Sequence, residues 1–137
     1  MGIEPNGMTP LLQVYDMPQA LTFYRDILGF ETVDKSPEVD TPEGCFSHWI
    51  WLRLGPAQLM LNTAYDAGER PGGRDTARQY CHGDTCLYFG CPDVDAVHET
   101  LRSRLPGLAP PENTPYGMRQ LHLNDPDGYA LCFQAPV

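Results

Sequence analysis

The strongest constraint on this chain is that it runs through the same order of patterns twice. Residues 11 to 15 read as a strand, and 16-DMPQALTFYRDILG-29 reads as a helix. Asp16 offers a capping oxygen, and Pro18 suits a first helical turn. Leu21, Phe23, Tyr24, Ile27 and Leu28 recur at the helical spacing of three and four, and Gly29 stands where helices stop. Phe30 to Val33 then read as a short strand, followed by the polar loop 34-DKSPEVDTPEG-44. The runs 46-FSHWIWLRL-54 and 57-AQLMLNT-63 flank Gly55-Pro56, which is a hairpin signal. After a long Gly-rich and charged connection, 64-AYDAGERPGGRDTARQYCHG-83, with room for one helical turn, the order restarts. A strand, 85-TCLYFGC-91, precedes a helix capped by Asp93 with Val94, Val97 and Leu101 on one face. A Pro-rich stretch, 106-PGLAPPENTP-115, leads to a last hairpin around 125-DPDG-128. Each half is therefore strand, helix and three strands. The junctions match in kind: Asp16-Met17-Pro18-Gln19-Ala20-Leu21 against Pro92-Asp93-Val94-Asp95-Ala96-Val97.

Pairing outward from each hairpin turn sorts the side chains onto faces, because directly opposed residues share one. Around Gly55-Pro56, one face carries Ile50, Leu52, Leu59 and Leu61, an aliphatic set suited to packing under a helix. The other carries Trp49, Trp51, Arg53, Gln58, Met60 and Asn62, a mixture of aromatic surface and hydrogen-bonding groups suited to a ligand. A core face has no use for Arg, Gln and Asn; a core or dimer contact is the competing reading for the tryptophans. In the first strand Thr9, Leu11 and Gln13 go together. In 85–91, Cys86, Tyr88 and Gly90 share a face. Counting a four-residue turn at 125–128 pairs Asn124 with Tyr129, Leu121 with Cys132 and Arg119 with Gln134. That register puts Arg119, Leu121, Leu123, Ala130, Cys132 and Gln134 together, with Gln120, His122, Leu131 and Phe133 opposite. It also turns His48 and His122 toward the helices, whereas a one-residue slip would turn them inward as imidazole ligands or a general base; His82 falls in the long connection and His98 on the surface of the second helix.

Bulk properties narrow the partners. The 137 residues suffice for one domain, and the net charge is −9. Phosphate binding needs clustered Lys and Arg, so a nucleic-acid partner is disfavoured, as is an anionic membrane surface. No apolar run approaches the roughly 20 residues of a membrane span, and no leader pattern opens the chain. Five cysteines, an odd number, fit reduced thiols in a cytoplasmic protein. The five-residue spacing of Cys81, Cys86 and Cys91 is no zinc spacing.

The repeat, 22-TFYRDILGF-30 and 125-DPDGYALCF-133 together resemble the vicinal-oxygen-chelate superfamily, which includes glyoxalase I, extradiol dioxygenases, and fosfomycin- and bleomycin-resistance proteins. The resemblance covers nearly the whole chain. It implies an α+β fold of two βαβββ repeats, a curved mixed sheet around a cavity with helices on the outer face. The expected organisation is a single domain, 1–137, with repeats at about 9–63 and 85–135 joined by linker 64–84. Metal-dependent relatives place His and carboxylate ligands at four inward positions. Here those positions correspond to Thr9, Met60, Cys86 and Cys132, so the resemblance implies no hard divalent metal. Cys86, Cys132 and Met60 leave only a soft ion, copper(I) or zinc, as an alternative.

Three functions remain open. The first is a metal-free, cofactor-free small-molecule binding protein of the bleomycin-resistance-like type, a homodimer holding an aromatic or planar ligand. Gln13, Trp49, Trp51, Arg53, Gln58, Met60, Asn62, Cys86, Tyr88, Tyr116, Arg119 and Cys132 are its candidate ligand-binding residues. The second is a lyase, isomerase or dioxygenase with non-standard ligands or metal-free catalysis, with Arg119 stabilising an oxyanion and Tyr116 as acid. A reactive thiol at Cys86 or Cys132 would favour it. The third is an interaction module with a vestigial pocket.

Overall fold

A computed structural model describes residues 2–137, which form two compact units, Met1–Gly72 and Gly73–Val137. In the first, β1 (Leu11–Val14) leads to α1 (Met17–Leu21), which continues as a π-helical stretch over Thr22–Ile27. Asp16 caps the helix as its pattern implies: its side chain accepts from Gln19 N at 3.1 Å. The wide turn shows in the bond from Leu28 N to Phe23 O, 3.0 Å, and Gly29 ends the helix at φ 92°. There follow β2 (Glu31–Lys35), β3 (Val39–Thr41), β4 (Gly44–Phe46), β5 (Trp49–Leu54) and β6 (Ala57–Thr63). The main sheet runs β1-β6-β5-β2, with β1 and β6 parallel and the other pairs antiparallel. The segment read as a plain polar loop, 34–44, instead holds the end of β2 and a small β3–β4 hairpin.

The second unit begins with α2 (Thr76–His82), two turns of helix where the sequence suggested at most one. Its cap is Asp75, whose carboxylate accepts from Ala77 N and Arg78 N. β7 (Cys86–Gly90), α3 (Val94–Leu101), β8 (Glu112–Asn113), β9 (Met118–Asn124) and β10 (Ala130–Pro136) complete it. Asp93 caps α3 through Ala96 N at 3.0 Å. The sheet order is β7-β10-β9-β8. In both units the first strand lies beside the fourth, then the third, then the second. The two mixed four-stranded sheets therefore repeat one βαβββ topology, and neither closes into a barrel.

Each sheet has one dry face under its helix. In the first unit Leu12, Val14, Ile50, Leu52, Leu59 and Leu61 are all buried, along with Met17, Ala20 and Tyr24 of the helical segment. Tyr24 sits edge-on to Phe23 and Phe30 at 5.0 and 5.7 Å. In the second unit Leu121, Leu123, Leu131 and Phe133 are buried with Val94 and Leu101 of α3. Each such aliphatic side chain contributes about 1.5–3 kcal/mol by leaving water, so these layers carry the fold and leave the opposite faces free for other chemistry.

α2 joins its unit differently. None of its residues is buried. Polar and ring contacts hold it to the 125–129 turn: His82 Nδ1 donates to Asp127 O at 2.7 Å, and its ring stacks on Tyr129 at 4.0 Å. A Cβ on Gly128 would stand 2.3 Å from Gln79 O of this helix, so only glycine permits the approach.

Candidate ligand-binding faces

The first unit realises the expected hairpin register pair for pair. Trp49 opposes Asn62, Trp51 opposes Met60 and Arg53 opposes Gln58. β1 extends the same face, with Leu11 opposite Met60 and Gln13 opposite Asn62. Gly55 at φ 58° followed by Pro56 makes a two-residue turn that leaves no room for slippage. The face is ordered by side-chain hydrogen bonds. Trp51 Nε1 donates to Gln58 Oε1 at 3.1 Å, and Asn62 Nδ2 donates to Gln13 Oε1 at 3.3 Å. Trp49, Trp51, Met60, Asn62 and Gln13 are half-buried; Arg53 and Gln58 are exposed.

β2 adds two residues that the sequence did not place here. Thr32 opposes Leu52 and Asp34 opposes Trp51, so Val33 is a bulged extra residue. Glu31, opposite Arg53, and Asp34 both lie on the tryptophan face. Arg53 Nη2 stands 3.5 Å from Glu31 Oε2. Nothing in 31-ETVDK-35 signals the bulge, since both carboxylates flank an ordinary strand alternation.

In the second unit β7 behaves as expected: Cys86, Tyr88 and Gly90 share a face with Ala130, Cys132 and Gln134 of β10. The last hairpin does not. Ala130 opposes Asn124, Cys132 opposes His122 and Gln134 opposes Gln120. The register is one residue away from the expected one because Asp125–Tyr129 forms a five-residue connection. Asp125 Oδ1 accepts from Asp127 N and Tyr129 N, and Gly128 at φ 89° supplies the extra, left-handed residue. Two expectations are corrected. His122 shares the Cys132 face rather than the helix side. Arg119, Leu121 and Leu123 turn to the helix side, and Arg119 is engaged there. Its Nε and Nη2 donate to Asp95 at 3.0 and 2.8 Å, and Nη1 donates to Asn113 Oδ1 at 3.0 Å. The guanidinium holds the Asp95 carboxyl below its ordinary range.

The Cys132 face is a polar network. Gln120 Nε2 donates to Gln134 Oε1 at 2.9 Å, and Gln120 Oε1 accepts from His122 Nε2 at 3.0 Å and Tyr116 Oη at 3.4 Å. Cys132 Sγ lies 3.9 Å from the same imidazole nitrogen. Burial, then the neighbouring Cys86, push the Cys132 thiol up to about 11. Burial also raises Cys86, against a hydrogen bond from Tyr88. Both sulfurs are therefore protonated at neutral pH and are poor nucleophiles. His48 keeps its expected place on the helix side, bonded through Nδ1 to Thr63 Oγ1 at 2.5 Å.

The donor set does not suit a hard divalent ion. The first unit offers Thr9 and Met60 at the positions in question, and the second offers Cys86 and Cys132. These are a hydroxyl, a thioether and two protonated thiols, with the single imidazole of His122 beside Cys132, where such an ion requires several carboxylates or imidazoles. Among the described residues no three His, Cys, Asp or Glu side chains group to hold a metal.

Comparison with known proteins agrees with the architecture. Residues 8–133 match the family described as Glyoxalase/Bleomycin resistance protein/Dioxygenase superfamily. TnmS3, an antibiotic binding protein from Streptomyces sp. CB03234, superposes with TM-score 0.67 at 26% identity, covering 99% of this chain and 100% of its own. The bleomycin-binding protein of Streptomyces verticillus, solved with copper(II)-bleomycin, superposes with TM-score 0.68 at 21% identity, covering 99% and 100%. A lactoylglutathione lyase from Agrobacterium tumefaciens gives TM-score 0.65 at 21% identity, covering 96% and 94%. No curated protein matches the chain. With the repeated topology and a match spanning almost its entire length, the chain belongs to the glyoxalase/bleomycin resistance protein/dioxygenase superfamily.

Proposed function

We propose that this protein binds a planar aromatic small molecule, without a metal ion, against the face that carries Trp49 and Trp51. The observation that carries the reading is the sorting of the first sheet. Leu12, Val14, Ile50, Leu52, Leu59 and Leu61 are buried on the helix side, while two indoles remain half-buried among amide side chains on the other. Ring surface of that kind gains by stacking on a flat ligand, and the amides of Gln13, Gln58 and Asn62 fix its orientation. The similarity to an antibiotic binding protein points the same way. The fold alone does not, because a lyase shares it. Catalysis has less support: Arg119, the candidate oxyanion stabiliser, is committed to Asp95, and neither Cys86 nor Cys132 is poised as a thiolate.

The test is a fluorescence titration of chelator-treated protein with planar aromatic compounds. Quenching that saturates, and that Trp49→Ala and Trp51→Ala remove while the unfolding midpoint stays put, supports the reading. Binding that the chelator abolishes, or variants that unfold instead, would sink it. The same reading expects a cytoplasmic homodimer, and sedimentation at micromolar protein tests the assembly.

A further inference from the structure

We infer that the ligand held at this face is a planar cation. The inference rests on the proposed binding at Trp49 and Trp51 and specifies its charge. By its sequence alone the Trp face offers Arg53 as a partner for an acid. On this face, however, Arg53 has its charge offset by a neighbour, because its Nη2 lies 3.5 Å from Glu31 Oε2. The bulge at Val33 then brings a second carboxylate, Asp34, to the position opposite Trp51. Asp34 Oδ1 accepts from the Lys35 backbone N–H at 2.8 Å, and Asp34 takes part in no ion pair among the described residues. Two carboxylates against one guanidinium leave the face one negative charge in excess. The indoles add to this preference, since the ring face of Trp attracts cations. Trp51 is held in place by its bond to Gln58 on the β6 side, and Asp34 stands opposite it on the β2 side. Without the bulge Asp34 would have turned to the helix side, and the face would be neutral.

One uncompensated charge within a few ångströms at a wet surface is worth about fivefold in affinity. The experiment is equilibrium dialysis of the whole chain against three flat tricyclic probes: proflavine (a cation), anthraquinone (neutral) and anthraquinone-2-sulfonate (an anion). Proflavine should bind about fivefold tighter than anthraquinone, and the sulfonate about fivefold weaker. Asp34→Asn should remove most of the difference, high salt should shrink it, and Asp26→Asn, which removes the same charge from the helix, should leave it. Equal affinities, or a tighter sulfonate, would overturn the charge assignment and leave aromatic binding intact. A proflavine preference that survives Asp34→Asn and Glu31→Gln would overturn it too, placing its origin in the overall charge. If no probe binds in a way that Trp51→Ala removes, the binding reading beneath it fails first.

Discussion

The two hairpins that carry the candidate faces are built alike and turned differently. Between β5 and β6, Gly55-Pro56 closes a two-residue turn, and a Cβ at Gly55 would meet nothing within 4 Å. Between β9 and β10, five residues close the turn, Gly128 supplies a left-handed bulge, and Gln79 of α2 presses against it. The first turn only connects strands. The second connects strands, sets their register and anchors a helix. Sites that do several jobs tolerate substitution worse than sites that do one, and that difference can be tested directly.

The largest effect should come from Gly128→Ala. The new methyl collides with a backbone oxygen and the residue keeps a positive φ, so the loss should reach about 4 kcal/mol in chemical denaturation. Gly55→Ala meets only the φ penalty, about 1 kcal/mol. If the two cost the same, the contact with α2 is not what fixes the second turn. Next, Leu52→Ala should cost about 3 kcal/mol, because its side chain is fully buried. Trp51→Ala, on the same strand but the other face, should unfold the protein far less and lose ligand. A third test concerns the buried thiol. Cys132 titrates at about 11 when folded, whereas an unfolded thiol ionises near 8.5. The unfolded chain thus gives up its proton first, and stability should fall by about 3 kcal/mol as pH climbs through that window. The Cys132→Ala variant should lack that loss, and alkylation of Cys132 should be slow below about pH 10 while exposed Cys81 reacts. The smallest effect belongs to Arg119→Ala. It breaks an exposed pair with Asp95, so ligand binding should stay within error of the parent. A lost ligand there would return Arg119 to the binding face.

The same contrast explains what could be read from the sequence. Gly55-Pro56 allows one turn geometry, so the faces of Trp49, Trp51, Leu52 and Leu59 were legible from spacing alone. Helix caps at Asp16 and Asp93 were equally legible, because a capping oxygen acts locally. DPDG reads equally well as a four-residue turn or as the core of a five-residue one. The choice depends on Asp125 accepting two backbone N–H groups and on Gly128 meeting α2, neither visible as a pattern. The Val33 bulge left no mark either, and with it Glu31 and Asp34 were missing from the site. α2 was legible only as a single turn because it has no apolar face; its two turns follow from the Asp75 cap and from contacts with a turn distant in sequence.

One consequence of the five-residue turn lies in how such a wall could change. A substitution alters one side chain where it stands. Removing a single residue from Asp125–Tyr129 would instead rotate the whole of β9 by half a turn, withdrawing His122 and Gln120 and presenting Arg119, Leu121 and Leu123 in their place. The candidate face would be exchanged wholesale while every residue of the strand kept its identity. In this half of the molecule the length of one turn decides which side chains the candidate face presents, so a single deletion would do what no single substitution can.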